Sequence, residues 1–226
     1  MKRYIYDGSF ENAFEIKTDV VIAGCGVAGL YTAINLDPEI KCAILNKTPV
    51  TQSNSIYAQG GIAAVIKFIS GSEDSTQKHF EDTISAGAGL CDEEAVRVLV
   101  NEAAENIRKL IKLGIPFDMS GGKYTLTKEG GHKLKRVLHC GGDATGLHLT
   151  ECLLCEAQKR ENIKIYDAMF MCDIVTDDGK VTGAVALGID GSPFIFKASK
   201  VVLACGGIGR IYKNSTNALC ATGDGI

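Results

Sequence analysis

A short apolar run, Asp19-Val20-Val21-Ile22-Ala23, passes directly into Gly24-Cys25-Gly26-Val27-Ala28-Gly29 and then into a helical stretch reaching Leu36. No other feature of the 226-residue chain restricts its fold as much. β-Branched residues with no polar face describe a strand buried on both sides, as in a parallel sheet. A second such strand follows at 42–45, so strand, turn, helix and strand form a βαβ unit. Each glycine has its own task. Gly24 permits the tight turn, Gly26 lets the backbone approach a pyrophosphate, and Gly29 lets helix and strand pack closely. The pyrophosphate would rest on the helix N-terminus, whose free N–H groups and dipole favour an anion. The whole hexapeptide, Cys25, Val27 and Ala28 included, is therefore assigned to a dinucleotide.

The turn alone does not separate NAD from FAD, and the same glycines could form a turn that binds nothing. An acidic residue for the ribose hydroxyls is expected at the end of the second strand. Asn46 and Lys47 stand there instead. Asn46 can still bond a ribose and Lys47 can pair with phosphate, but the departure argues against an ordinary NAD site.

The rest of the chain continues the α/β pattern. Residues 75–86 are helical in spacing, and 92–113 form the clearest helix. Asp92 suits its N-cap, Glu93 and Glu94 its first turn, and Gly114 with Pro116 its end. Ala95, Val98, Leu99, Ala103, Ile107, Leu110 and Ile111 supply the expected buried stripe. Residues 118–135 are polar and rich in Gly and Lys, which predicts a solvated excursion, and 145–159 read as another helix. Residues 163–204 alternate as short strands, with turns at Asp177-Asp178-Gly179 and Asp190-Gly191. The last of these, 201–204, is fully apolar and ends in Gly206-Gly207. The expected fold is a Rossmann-like α/β domain over 1–226, with a parallel central sheet and a small antiparallel meander. Residues 222–226 look like a loop opening a new helix, so the chain reads as the N-terminal portion of something longer.

Composition limits the partners. A net charge of −3 with no basic tail argues against nucleic acid. The longest apolar stretch, 20–30, is shorter than the ~20 residues of a membrane span, and no signal peptide precedes it. Nine cysteines, odd in number and scattered, suit a reducing, cytoplasmic setting better than a disulfide scaffold. Cys152-Leu153-Leu154-Cys155 lies within a helix and reads as packing. His79, His139 and His148 show no metal-ligand spacing, so no metal site is expected.

Several further motifs, in order, resemble the succinate dehydrogenase/fumarate reductase flavoprotein superfamily. They are TQSNSIYAQGGIAA at 51–64, EDTISAGAGLCD at 81–92, HCGGDATG at 139–146, ACGG at 204–207 and GDG at 223–225. The resemblance covers 19–226 and implies an FAD-binding domain that stops before its capping domain. It implies that Asn54, Ser55, Ile56, Tyr57, Ala58, Gln59, Gly60 and Gly61 line the isoalloxazine and ribityl chain. Lys47 would hold the region beyond the pyrophosphate, Met171-Cys172 would lie beside the adenine, Asp224 would contact the ribityl side, and Ala204 of the ACGG motif would also belong to the cofactor site. Dehydrogenase and reductase subunits carry a flavin-bonding histidine where this chain has Asn54, so the FAD should be non-covalent.

TKEGGH at 127–132 is similar to the aspartate-oxidising branch, whose glutamate faces the substrate amino group. Glu129 is the residue expected to tell aspartate from succinate, because a carboxylate favours an ammonium and gains nothing beside a methylene. Spacing alone would read it as a solvated loop residue beside Lys128. Asp143-Ala144-Thr145-Gly146 also lacks the lysine that the reductases more often carry. The implied reaction is FAD-dependent oxidation of L-aspartate to iminoaspartate, with dioxygen or fumarate as acceptor. It is the first step of de novo NAD biosynthesis, with quinolinate synthase as the pathway partner. The arginine of proton transfer would lie beyond residue 226. His132, Lys133, Lys135 and Arg136 read equally as substrate cations or as a solvated basic loop, and His139 as a contact or a structural bond. The alternatives are a dehydrogenase- or reductase-type subunit with non-covalent FAD, and a non-catalytic flavin-binding remnant.

Overall fold

The computed structural model describes residues 5–70 and 73–226. In chain order the elements are β1 (Phe14–Lys17), β2 (Val20–Ala23), α1 (Val27–Ile34), β3 (Cys42–Asn46), β4 (Ile62–Ala63) and α2 (Lys67–Ser70). Next come α3 (Thr76–Ala86), α4 (Glu93–Lys112), β5 (Met119–Ser120), β6 (Lys123–Tyr124), β7 (Val137–Leu138) and α5 (Thr145–Gln158). The chain closes with β8 (Ile163–Asp167), β9 (Phe170–Asp177), β10 (Lys180–Leu187), β11 (Pro193–Lys197) and β12 (Lys200–Leu203). They divide into two units, Met1–Tyr57 with Leu153–Ile226, and Ala58–Cys152. No composition shift marks where the chain leaves the first unit.

The first unit holds the parallel sheet, ordered β12-β2-β3-β8, with all three pairings parallel. All of β2 and the first four residues of β3 are buried, as their unbroken apolar runs predict. Sequence β12 reads the same way, yet Leu203 is 49% exposed because β12 is an edge strand with one neighbour. α1 packs Gly29, Leu30, Ala33 and Ile34 against β2 and β3. A second sheet, β1-β11-β10-β9, contains the expected meander. Its first hairpin turns at Asp178 and Gly179, both with positive φ (46° and 73°), as a type I′ turn requires. β1 adds a parallel edge to β11, with Phe14 and Phe194 stacked at 5.1 Å. The two sheets share a core of Val21, Ala43, Leu45, Ala184, Ala186 and Phe196, in which the alanines admit close approach.

The second unit contains the helix pair α3–α4 and two short ladders, β4–β7 and β5–β6. Ser75 caps α3 through Lys78 N–H at 3.1 Å, and Asp92 caps α4 through Ala95 N–H at 3.1 Å. The buried face of α4 is Val96, Val100, Ile107 and Leu110, whereas Val98 and Leu99 are 52% and 62% exposed. The first half of α4 carries two apolar stripes offset by one residue, about 100° of rotation. Phe80 of α3 selects between them by packing on Val96 and Val100. The excursion at 118–135 is also more ordered than its composition suggests, since β5 and β6 form a hairpin through Gly121 and Gly122, both at positive φ. Among the described residues no helix is long and apolar enough to cross a membrane, and no cluster of three or more His, Cys, Asp or Glu could hold a metal.

Candidate functional site

At the carboxyl end of β2 the chain turns through Gly24, whose φ of +112° suits glycine alone. Its amide donates to the Leu45 carbonyl at 2.8 Å, and a Cβ here would overlap the Ala204 carbonyl oxygen. A Cβ on Gly29 would overlap the Gly24 carbonyl oxygen, so this glycine sets how closely α1 approaches the turn. A Cβ on Gly26 would lie 2.9 Å from Ser55 Oγ, which accepts the Val27 N–H at 3.0 Å. No acidic side chain occupies the first turn of α1, leaving its positive end available to an anion.

Beside this turn is a cavity of about 310 Å³, formed wholly within the first unit. Of the residues singled out from sequence, Gly24, Cys25, Gly26, Ala28, Asn46, Lys47, Asn54, Ser55, Ala204 and Asp224 line it. Val27, Gly29, Ile56, Tyr57 and Cys172 belong to the same unit but stand outside the lining. Val27 and Gly29 act through the turn's backbone, the Ile56 amide donates to Ser53 Oγ at 3.3 Å, and Tyr57 is exposed. At the start of β9 the lining takes in Met169, just before the strand, with Phe170 and Met171, while Cys172 Sγ turns back to the Phe170 carbonyl at 3.5 Å. Ala58, Gln59, Gly60 and Gly61 lie in the second unit.

The polar groups of the lining are largely engaged with one another. Lys47 Nζ pairs with Asp224 Oδ2 and bonds Thr222 Oγ1, so these residues act as one ion pair where separate contacts were expected. Burial opposes ionisation of Asp224, but the Lys47 ammonium and Thr222 hydroxyl hold its carboxyl below the usual carboxylate range. Asn46 Nδ2 donates to the Thr48 carbonyl. Burial, with Asp167 adding, pushes the Cys25 thiol up to about 12, so it packs as a neutral group. Asn54 spans two chain segments: its Nδ2 donates to Asn217 Oδ1 at 2.9 Å, and its Oδ1 accepts the Ala218 N–H at 2.7 Å. Asn217 and Ala218 escaped the sequence reading because 163 and 164 residues separate them from Asn54. A glycine cradle that a Cβ would fill, a helix N-terminus without acid, amide and hydroxyl groups and the apolar Met169 and Met171 together fit a dinucleotide.

The second unit carries the other candidate residues. Glu129 is not a free loop glutamate. Its Oε1 lies 3.1 Å from His139 Nε2, which is also 2.8 Å from Thr127 Oγ1, while His139 Nδ1 lies 3.3 Å from the Gly142 carbonyl. A Cβ on Gly60 would lie 3.8 Å from Glu129 Oε2, and one on Gly61 would reach His139 Nε2 at 3.0 Å. The 58–61 loop thus passes directly against this pair.

The solvated-loop reading also fails for Arg136, which is fully buried. Its Nε and Nη2 hold Asp74 at 2.9 and 2.8 Å, and its Nη1 holds Asp82 at 2.6 Å and His132 Nδ1 at 3.1 Å. A guanidinium can only donate, so His132 Nδ1 is an acceptor. Burial opposes ionisation of both aspartates, yet their bonds, those from Arg136 among them, keep the carboxyls below the usual range. His79, buried beside them, is pushed down by burial and by the Arg136 charge. With four of its five N–H donors committed here and no exposed surface, Arg136 is a structural ion.

Known proteins share this architecture. The family described as FAD binding domain matches residues 19–226. The L-aspartate oxidase of Streptomyces coelicolor is 38% identical over 219 residues, covering 93% of this chain and 37% of the relative. That of Clostridium perfringens is 41% identical over 208 residues, covering 92% of this chain and 46% of the relative. The structure of E. coli quinol fumarate reductase superposes with a TM-score of 0.86 at 33% identity, over 94% of this chain and 36% of that one. The chain therefore spans less than half the length of these proteins.

Proposed function

The chain belongs to the FAD-binding-domain family, and from that premise we propose that it is the flavin-binding part of an L-aspartate oxidase. It is a flavoprotein of the succinate dehydrogenase/fumarate reductase kind, and the reaction we assign is oxidation of L-aspartate to iminoaspartate. Dioxygen or fumarate would take the electrons, and the product would feed de novo NAD synthesis through a quinolinate synthase. The observation that carries this reading is Glu129, placed beside His139 and against the 58–61 loop, in a chain whose relatives include L-aspartate oxidases.

In this account the Gly24–Gly29 turn and the α1 N-terminus receive the pyrophosphate, Asn46 the ribose, and Met171 the adenine side. Asn54 and Ser55 meet the isoalloxazine and ribityl side, with 58–61 continuing that loop. The Lys47–Asp224 pair closes the cavity's polar wall. Asn54 has no ring nitrogen to alkylate and its amide is already doubly bonded, so the FAD is held non-covalently. When bound, FAD supplies the two-electron acceptor for the substrate's Cα–N bond. The protein's part is to hold and orient. Glu129 takes the α-ammonium in a charge-assisted hydrogen bond, an interaction succinate cannot make.

Kinetics of full-length Glu129→Gln protein test the assignment. Losing one charge-assisted hydrogen bond, about 1.5–3 kcal/mol, should lower kcat/KM for aspartate about ten- to a hundredfold and leave succinate binding nearly unchanged. Turnover of succinate but not aspartate by the unmodified protein would instead favour the dehydrogenase-type alternative.

A further inference from the structure

The ring of His139 has more acceptors around it than a neutral imidazole can serve. Nδ1 faces the Gly142 carbonyl, which can only accept, so the neutral ring carries its proton on Nδ1. Nε2 is then a lone pair, suited to the Thr127 hydroxyl at 2.8 Å but repelled by the Glu129 carboxylate at 3.1 Å. A proton added at Nε2 reverses this preference, because the imidazolium donates toward Glu129. Two other titratable groups adjoin the Gly141–Gly142 turn that carries the ring's Nδ1 partner. The Asp118 carboxylate takes the amides of Gly141 and Gly142 at 2.7 and 3.1 Å, and His148 sits beside Gly141. β4 and β7 bring Ile62 and Leu138, which carry no charge. Among the described residues Glu129 is the one charged group paired with the ring. The Glu129 side chain is 44% exposed, leaving it room to turn, whereas that of His139 is 13% exposed and fixed on both edges.

We propose that His139 is a positioning residue that sets whether the Glu129 carboxylate is free to take an ammonium group. With a neutral ring, Thr127 satisfies Nε2 and Glu129 turns to the cationic amine of an amino acid. With a protonated ring, the imidazolium and the substrate ammonium compete for one carboxylate. The inference rests on reading Glu129 as the amino-group contact. It adds a consequence that a structural histidine would not have: selectivity for an amino dicarboxylate over its desamino analogue depends on pH.

The test uses the full-length, FAD-loaded protein and the change in flavin absorbance on binding L-aspartate or succinate. The ratio of aspartate to succinate affinity should fall about tenfold on acidification, the worth of one charge-assisted hydrogen bond. In His139→Gln, which has no titrating proton, the ratio should stay constant. A ratio that falls equally in the variant overturns the proposal, as does a variant that weakens both ligands alike. Spectra of the 15N-labelled imidazole, assigned by its loss in His139→Gln, give a second check needing no ligand. A neutral ring protonated at Nδ1 supports the arrangement, and one protonated at Nε2 overturns it. Glu129→Gln separates the two failures. If it leaves aspartate affinity intact, the role of Glu129 itself is wrong. If it weakens aspartate while His139→Gln changes nothing, only the positioning role falls.

Discussion

At Gly24 a single methyl group has no room in the wall of the cavity. Alanine there would have to hold a φ of +112° and place Cβ on the Ala204 carbonyl. Gly24→Ala should therefore lose FAD binding, checked by titrating the apo-protein and following flavin fluorescence. Asn54→Ala acts on the same cavity differently, cutting the tie to Asn217 and Ala218. It should weaken FAD about tenfold, near the worth of two neutral hydrogen bonds, with the protein still folded by circular dichroism. Arg136 belongs to stability. Removing its charge strands two buried carboxylates, so Arg136→Met should cost about 3–5 kcal/mol in urea unfolding. The aspartates set the sign of the pH effect. Their folded carboxyls titrate below the unfolded value of about 3.9, so their contribution is complete above that pH and fades as pH falls through the folded values. Unmodified protein should lose stability in that acid window, and Asp82→Asn, already weaker at neutral pH, should lose less of it. The turn at Gly24 and the close packing at Gly29 were legible because the positive φ of the one and the contact of the other with Gly24 are local geometry. The Arg136 cluster was not, since Asp74 and Asp82 lie 62 and 54 residues away and nothing local marks them as its partners.

Elements were read well where one signal dominated. β2 and β3 are continuous apolar runs, the capped ends of α3 and α4 carry Ser75 and Asp92, and the β9–β10 turn has its Asp-Gly pair. Where two signals competed, tertiary contact decided. α4 offers two apolar stripes, and only the packing of Phe80 on Val96 and Val100 shows which is buried. Leu110→Ala should accordingly cost about 2–5 kcal/mol and Leu99→Ala no more than about 0.5 kcal/mol, compared by urea denaturation. The β5–β6 hairpin and β1 were missed for another reason. β5 and β6 are two residues each, and β1 is largely exposed, so none leaves a pattern of burial in the sequence.

For the whole molecule, the parallel sheet, the glycine turn and the cavity of the first unit make one frame that would receive the dinucleotide, and the second unit carries the pair that would select the substrate. The superfamily was legible because its motifs are local and ordered along the chain. The partners that hold those motifs in place were not, because they come from distant segments. In the function proposed above this frame holds FAD without a covalent bond, Asn54 standing where the family resemblance implies a histidine in dehydrogenase and reductase subunits. The most direct measurement is to purify the full-length protein, record its visible spectrum, precipitate it with acid and assay both fractions for flavin. The expected result is a yellow protein that releases its FAD into the supernatant. Flavin retained in the pellet, or a protein that takes up no FAD on reconstitution, would contradict it.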